Sequence, residues 1–109
     1  MIKEKSKYSI FVDGGRMTVV INGEVDHHNA IGLRADLDRE IYSHRPEELI
    51  FDLSAVEFMD SSGLGLILGR FATVKEIGGT LTVKDPNIKV EKILKLAGLE
   101  RIVKVEYTK

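Results

Sequence analysis

Residues 49–79 read LIFDLSAVEFMDSSGLGLILGRFATVKEIGG, and this stretch decides the fold. It begins with LIFDL, an apolar run interrupted only by Asp52, which is typical of a central strand covered on both faces. Farther on, apolar residues recur at the spacing of one helix face, and Gly78-Gly79 ends the pattern. The apolar positions of this predicted helix are Leu64, Ile67, Leu68, Phe71, Val74 and Ile77. A strand that leads through a turn into a helix indicates an α/β fold.

The residues nearest the N-terminus predict a β-hairpin. Two short runs rich in β-forming residues, 8–13 and 17–22, flank Gly14-Gly15. Glycines at these positions supply the positive φ angles of a tight turn, so the two runs are expected to pair antiparallel. Residues 1–7 are highly charged and are predicted to fray.

A helix is predicted between this hairpin and the LIFDL strand. It begins at residue 26 or 28, after the turn at Asn22-Gly23, and ends at Ser43, before Arg45-Pro46. Helical spacing is met by Ala30 or Ile31, Leu33 or Ala35, Leu37 and Ile41. A run of charge is interpreted as the exposed face of this helix, and it consists of Arg34, Asp36, Asp38, Arg39 and Glu40.

The C-terminal part continues the alternation of strands and helices. A strand is predicted at 80–84, a turn at Asp85-Pro86, a helix at 90–97 followed by Gly98, and a last strand at 102–105. The order is β-β-α-β-α-β-α-β. It predicts one domain over residues 1–109, with a small mixed β-sheet packed with α-helices. The N-terminal hairpin is antiparallel and the remaining strands are parallel.

Composition excludes several classes of function. The 109 residues carry 16 Lys and Arg against 17 Asp and Glu, a net charge of −1 that argues against a nucleic-acid or anionic-membrane binder. The most apolar stretch, 64–71, is broken by Gly65, Gly69 and Arg70, so it does not predict a membrane span. No signal-peptide pattern begins the sequence. The absence of cysteine excludes disulfides and thiolate chemistry and is compatible with a cytoplasmic protein.

Residues 58–70 lie where a predicted strand gives way to a helix, and this position favours negative charge. The first N–H groups of a helix have no partner within it, and with the helix dipole they stabilise an anion by about 0.3–1 kcal/mol. Asp60, Ser61 and Ser62 are all residue types that cap helix N-termini. A well-capped helix is therefore a sufficient explanation of these residues taken alone.

Other chemistries fit the sequence less well. Gly63, Gly65 and Gly69 are spaced one residue too far for a dinucleotide-binding fingerprint, and the Gly-Lys-Ser/Thr of a phosphate loop is missing. Ser61 lacks the leading glycine of a hydrolase elbow, although His27 or His28 remains a candidate base for a small serine-dependent enzyme. The two histidines are adjacent, so on a helix they point about 100° apart and are unsuited to one metal ion.

Three motifs resemble the STAS family, and within it the sporulation branch of the bacterial anti-sigma factor antagonists. They are GEVDHH at 23–28, FMDSSGLG at 58–65 and LGR at 68–70. The resemblance extends over residues 8–106 and implies the fold predicted above. It also implies that Ser61, the serine directly after the aspartate, is the phosphorylated residue, with no catalytic or metal site in this chain.

The resemblance further implies partners. An anti-sigma factor with serine kinase activity would be bound by the unphosphorylated form, which releases the sporulation sigma factor. That kinase, with its own ATP and Mg²⁺, would phosphorylate Ser61 and end the binding, and a PP2C-type serine phosphatase would restore it. A general-stress sigma pathway is the alternative. The implied partner-binding residues are Gly23, Glu24, Asp26, His27, His28, Asp60, Ser62, Gly63 and Leu64.

Overall fold

Six strands form one mixed sheet in which every strand lies beside its neighbours in sequence. The structure is a computed structural model that describes residues 2–4, 8–25 and 27–108. The first three strands pair antiparallel, and the fourth, fifth and sixth continue the sheet in parallel. The strands are β1 (Ile2–Glu4), β2 (Tyr8–Asp13), β3 (Arg16–Ile21), β4 (Glu48–Asp52), β5 (Thr80–Lys84) and β6 (Lys104–Glu106). The predicted hairpin and parallel strands are confirmed.

The N-terminus departs from the prediction. Residues 2–4, within the segment expected to fray, form β1 and pair with β2 so that Ile2 lies opposite Phe11. An edge strand requires only the backbone groups of one neighbour, and a charged sequence gives no apolar alternation that would predict it. Residues 1 and 5–7 lie outside the described part of the chain.

Three helices connect the parallel strands. They are α1 (His27–His44), α2 (Ser61–Glu76) and α3 (Ile88–Leu96), and a 3₁₀ helix (Leu99–Arg101) follows α3. Gly78 and Gly98 have φ angles of 87° and 75°, so both helix stops predicted from glycine are confirmed. The last strand begins at Lys104 and not at residue 102, because the 3₁₀ helix occupies the chain after Gly98.

The hydrophobic core lies between the helices and one face of the sheet. The buried apolar side chains of all three helices join one cluster with alternate residues of the strands, among them Tyr8, Val19, Phe51 and Val83. LIFDL is a central strand as predicted, and Leu49, Ile50 and Phe51 are all buried. The core cluster lies on one face of this strand only. Ile50, on the other face, lies outside the cluster and is aligned with Thr18 and Thr82 on the neighbouring strands.

The charged run of α1 is an exposed face only in part, which corrects the prediction: Arg34 and Arg39 are exposed, but the three acidic residues are buried or partly buried. Glu40 is only 4% exposed, and its Oε1 lies 3.3 Å from Nε2 of His44. Asp36 accepts a hydrogen bond from the hydroxyl of buried Tyr8, and Asp38 pairs with Arg70 of α2. One side of α1 packs against the sheet and another side packs against α2. Charged residues lie on both of these sides.

Candidate functional site

The two long motifs of the sequence meet at the carboxyl edge of the parallel strands. β3 and β4 are parallel neighbours, so the segments that follow them leave the sheet at the same edge. Val25 and Met59, one from each segment, form an isolated parallel β-bridge, and both side chains are buried. We call the surface formed by residues 23–25, 27, 28 and 58–64 the paired-loop face.

The first segment of this face is shaped by glycine and an asparagine. Gly23 has a φ of 81°, a backbone conformation that glycine adopts readily and other residues adopt rarely. The side-chain amide of Asn29 donates to the carbonyl oxygen of Glu24 at 2.9 Å, which joins the loop to the first turn of α1. His27 and His28 begin that helix with exposed side chains. Asp26, a predicted partner-binding residue, lies outside the described residues.

Asp60 is the N-cap of α2. Its backbone is extended, with φ −104° and ψ −164°, and its Oδ1 accepts a hydrogen bond from the backbone N–H of Ser62 at 2.8 Å. Its carbonyl oxygen accepts from the backbone N–H of Gly63 at 3.0 Å. The sequence left Asp60, Ser61 and Ser62 as equal candidates for the cap, and the structure selects Asp60.

Ser61 is the first residue within α2, and its side chain is exposed. Among the described residues, nothing hydrogen-bonds to its hydroxyl group. The cap is therefore made without Ser61, and its hydroxyl oxygen faces solvent at the positive end of the helix dipole. Since the N–H of Ser62 is already held by Asp60, a group added to Ser61 would not compete for the cap.

Close backbone packing fixes the turn beneath Ser61. A Cβ atom on Gly63 would lie 2.8 Å from the Cβ and 3.1 Å from the sulfur of Met59. Gly63 is therefore required for α2 to begin directly over the buried Met59 side chain. The next residue, Leu64, is partly buried and packs against the core.

Asn87 is a positioning residue that the sequence reasoning missed. It is the N-cap of α3, where its Oδ1 accepts from the backbone N–H of Val90 at 2.8 Å. Its Nδ2 donates to the carbonyl oxygens of Val56 and Glu57 at 3.2 and 3.1 Å, and so holds the segment that leads to Ser61. An asparagine just before an amphipathic helix is itself a cap signal, but the link to residues 56 and 57 has no signature in sequence.

Three large apolar side chains are exposed on or beside the paired-loop face. Phe58 is 49% exposed, Ile31 of α1 60% and Leu68 of α2 40%. The helical period places Leu68 on the face of Ser61 and Ile31 on the face of His27 and His28. The sequence had left Ala30 or Ile31 for the core and had assigned Leu68 to it, but Ala30 is buried and Leu68 is not. Exposed apolar groups around a polar centre are typical of protein-binding surfaces.

The described residues offer no triad or metal centre at this face. Neither His27 nor His28 is hydrogen-bonded to Ser61, as a serine hydrolase would require of its base. No three His, Cys, Asp or Glu side chains of the described residues are grouped so that they would hold a metal ion. In addition, none of the helices formed by the described residues is long and apolar enough to cross a membrane.

The cap assignment gives a stability prediction. Asp60→Ala is expected to lower the free energy of unfolding by about 1 kcal/mol, because the N–H of Ser62 loses its acceptor. Asp60→Asn is the control, since an amide oxygen caps nearly as well, and it should stay close to the wild type. Urea unfolding followed by circular dichroism measures both. Equal losses in the two variants would mean that the charge of Asp60, and not the cap, is responsible.

Residues 8–109 match the STAS domain, which is nearly the whole chain. The chain belongs to the STAS domain family. A curated anti-sigma F factor antagonist of Paenibacillus polymyxa is 37% identical over 91 residues, which are 84% of this chain and 78% of that protein. An anti-sigma-B factor antagonist of Bacillus subtilis is 32% identical over 87 residues, 80% of this chain and 78% of that protein. These relatives place the STAS chain among the anti-sigma factor antagonists.

Solved structures agree with this assignment. The anti-sigma factor antagonist SpoIIAA in its unphosphorylated form superposes with a TM-score of 0.82 at 26% identity, covering 94% of this chain and 88% of that one. The phosphorylated form of the Bacillus cell fate determinant SpoIIAA superposes with a TM-score of 0.74 at 25% identity, covering 94% and 91%. The predicted STAS fold is confirmed.

Proposed function

We propose that this antagonist binds an anti-sigma factor that is also a serine kinase, and that it does so through the paired-loop face. Binding by the unphosphorylated form releases the sporulation sigma factor held by that kinase. The observation that carries the proposal is the exposed Ser61, whose hydroxyl group has no hydrogen-bond partner among the described residues. It lies in a face that is held together by the Val25–Met59 bridge. The apolar side chains of Phe58, Ile31 and Leu68 give that face area to bury.

Phosphorylation of Ser61 is the proposed switch. A phosphate adds about −1.5 to −2 charges and three acceptor oxygens. Within the chain its effects oppose each other, because the helix N-terminus attracts the charge while the neighbouring Asp60 repels it. The fold should therefore change little. At a docked interface the dianion is desolvated or meets like charges, at a cost of several kcal/mol, so the proposed switch acts on binding.

The remaining parts of the proposed cycle are those that the resemblance to the STAS antagonists implies. The phosphoryl group comes from ATP and Mg²⁺ bound by the kinase partner, and a PP2C-type serine phosphatase removes it from Ser61. The partners are cytoplasmic proteins, and neither nucleic acid nor membrane is bound. The Paenibacillus relative named for sigma F supports the sporulation pathway.

A general-stress pathway is the second candidate, and the likeness to a sigma-B antagonist of Bacillus subtilis favours it. The two candidates share the fold and the phosphorylated serine but differ in partner. Binding of this chain to purified anti-sigma F and anti-sigma-B factors, each loaded with nucleotide, distinguishes them. The cognate pathway is the one whose anti-sigma factor binds more tightly.

Mapping the phosphate tests the central claim. The chain is incubated with the candidate kinase, ATP and Mg²⁺, and the product is digested and analysed by mass spectrometry. We expect one phosphate, on Ser61. Ser62→Ala is the matched control, and its phosphate should still map to Ser61 because Ser62 is not the acceptor. Phosphate on Ser62, or none with a kinase that is active on another substrate, would contradict the proposal.

A further inference from the structure

Arg70, the last residue of the LGR motif, is buried between α1 and α2. It is 4% exposed, and its Nε lies 2.7 Å from Oδ1 of Asp38 on α1. The same oxygen accepts a hydrogen bond from the hydroxyl of Thr73 at 3.0 Å. One carboxylate oxygen of α1 is thus shared by two groups of α2, one turn apart.

The ion pair joins a desolvated guanidinium to a carboxylate that keeps part of its contact with water, since the side chains of Arg70 and Asp38 are 5% and 31% exposed. Burial lowers the pKa of the Arg70 guanidinium, and Asp38 offsets part of that effect. Neither Nε nor Nη1 makes an aligned hydrogen bond among the described residues, so the guanidinium depends on the charge of Asp38. Ion pairs with a desolvated member are often replaced by apolar residues without loss of stability, and in some proteins such a pair instead selects one arrangement of the packed elements.

The arrangement in question is the register of α1 against α2. α1 carries His27 and His28 at its start, and α2 carries Ser61 at its start, so the two helices bring the two halves of the paired-loop face together. Apolar contacts between helices permit small sliding movements, whereas a point-to-point ion pair does not. Farther from the face, the hydroxyl of Tyr42 donates to Oε1 of Glu76 at 3.2 Å, but this contact is exposed and weak.

We propose that Arg70 and Asp38 are positioning residues that fix α1 against α2, so that both halves of the paired-loop face fit the anti-sigma factor together. This inference rests on the proposed function. It means that the Arg70–Asp38 pair, although it lies outside the paired-loop face, contributes to binding affinity as well as to folding.

The test separates stability from affinity. Asp38→Asn leaves the buried Arg70 charge alone, and Arg70→Met leaves the Asp38 carboxylate, 31% exposed, without its partner. Both should weaken binding of the nucleotide-loaded anti-sigma factor, and Asp38→Asn should lower the unfolding midpoint more. The double variant Arg70→Met/Asp38→Asn removes both charges and keeps an acceptor for Thr73, so its unfolding midpoint should return toward that of the wild type. Its affinity should remain about tenfold below the wild type. Tyr42→Phe, on the same helix pair, is the control and should bind normally.

Each other outcome is informative. Wild-type affinity in the folded double variant would overturn the inference, because the pair would then serve folding alone. A loss in Tyr42→Phe equal to that of the double variant would also overturn it. If the double variant does not fold, Arg70→Lys replaces it. This variant keeps the charge but places it one bond farther along the side chain than Nε, so it should fold and bind about tenfold more weakly, and wild-type affinity would overturn the inference. A wild-type chain that fails to bind would contradict the proposed function instead.

Discussion

Ser61→Asp is expected to bind the anti-sigma factor at least about 100-fold more weakly than the wild type. The substitution places a permanent charge on an exposed side chain that the wild type presents as a neutral hydroxyl. Each 1.4 kcal/mol corresponds to about tenfold in affinity, and a like charge or a desolvated anion at an interface costs several kcal/mol. The fold should tolerate the change, because a carboxylate at the first turn of a helix is favoured by its dipole.

Two controls make the result specific. Ser61→Ala has no hydroxyl, so it should bind within a few-fold of the wild type and accept no phosphate. Ser43→Asp adds the same charge to an exposed serine near the other end of α1, away from the paired-loop face, and its affinity should be unchanged. Isothermal titration with nucleotide-loaded anti-sigma factor measures the affinities of the three variants. If Ser61→Asp bound as tightly as Ser61→Ala, charge at this position would not be the switch.

The order of helices and strands could be predicted from the sequence because the signal for each element lies within its own segment. Apolar runs and helical spacing lie within single segments, and Gly14-Gly15 and Gly98 marked their ends. Strand β1 was missed because its pairing comes from the backbone of β2, which leaves no pattern in residues 2–4. The helical period also left it open which of Ala30 and Ile31 faces inward, since both lie near the edge of the apolar stripe. That choice decides whether a large apolar side chain is exposed beside the paired-loop face.

The site was predicted less completely than the fold. Spacing alone gave three candidate caps, and only the family resemblance selected Ser61 as the acceptor of phosphate. The interaction of Asp38 with Arg70, 32 positions later in the numbering, depends on how two helices pack, so the charged run was interpreted as solvent-facing. The contact of Asn87 with residues 56 and 57 is equally non-local. Local patterns predict elements, and contacts between elements require the structure.

Gly63→Ala is expected to lower the free energy of unfolding by about 1–3 kcal/mol, the range for overpacking a core. An alanine normally stabilises a helix interior relative to glycine by about 0.5–1 kcal/mol, so a loss here requires a steric cause. The cause is the 2.8 Å approach of a new Cβ to the Cβ of Met59, whose side chain is buried and whose backbone pairs with Val25. Relief of this contact moves either α2 or the bridge.

Gly69→Ala is the matched control, because Gly69 lies inside the same helix and a Cβ there meets no atom within 4 Å. It should stabilise the chain by the helical preference for alanine. Chemical unfolding of the two variants therefore gives changes of opposite sign. Amide exchange in Gly63→Ala should rise first at residues 59–62, because the bridge and the cap are the features that the new methyl group displaces. Stability equal to that of Gly69→Ala would show that the turn beneath Ser61 has room to adjust, and that its glycine is not what holds the serine in place.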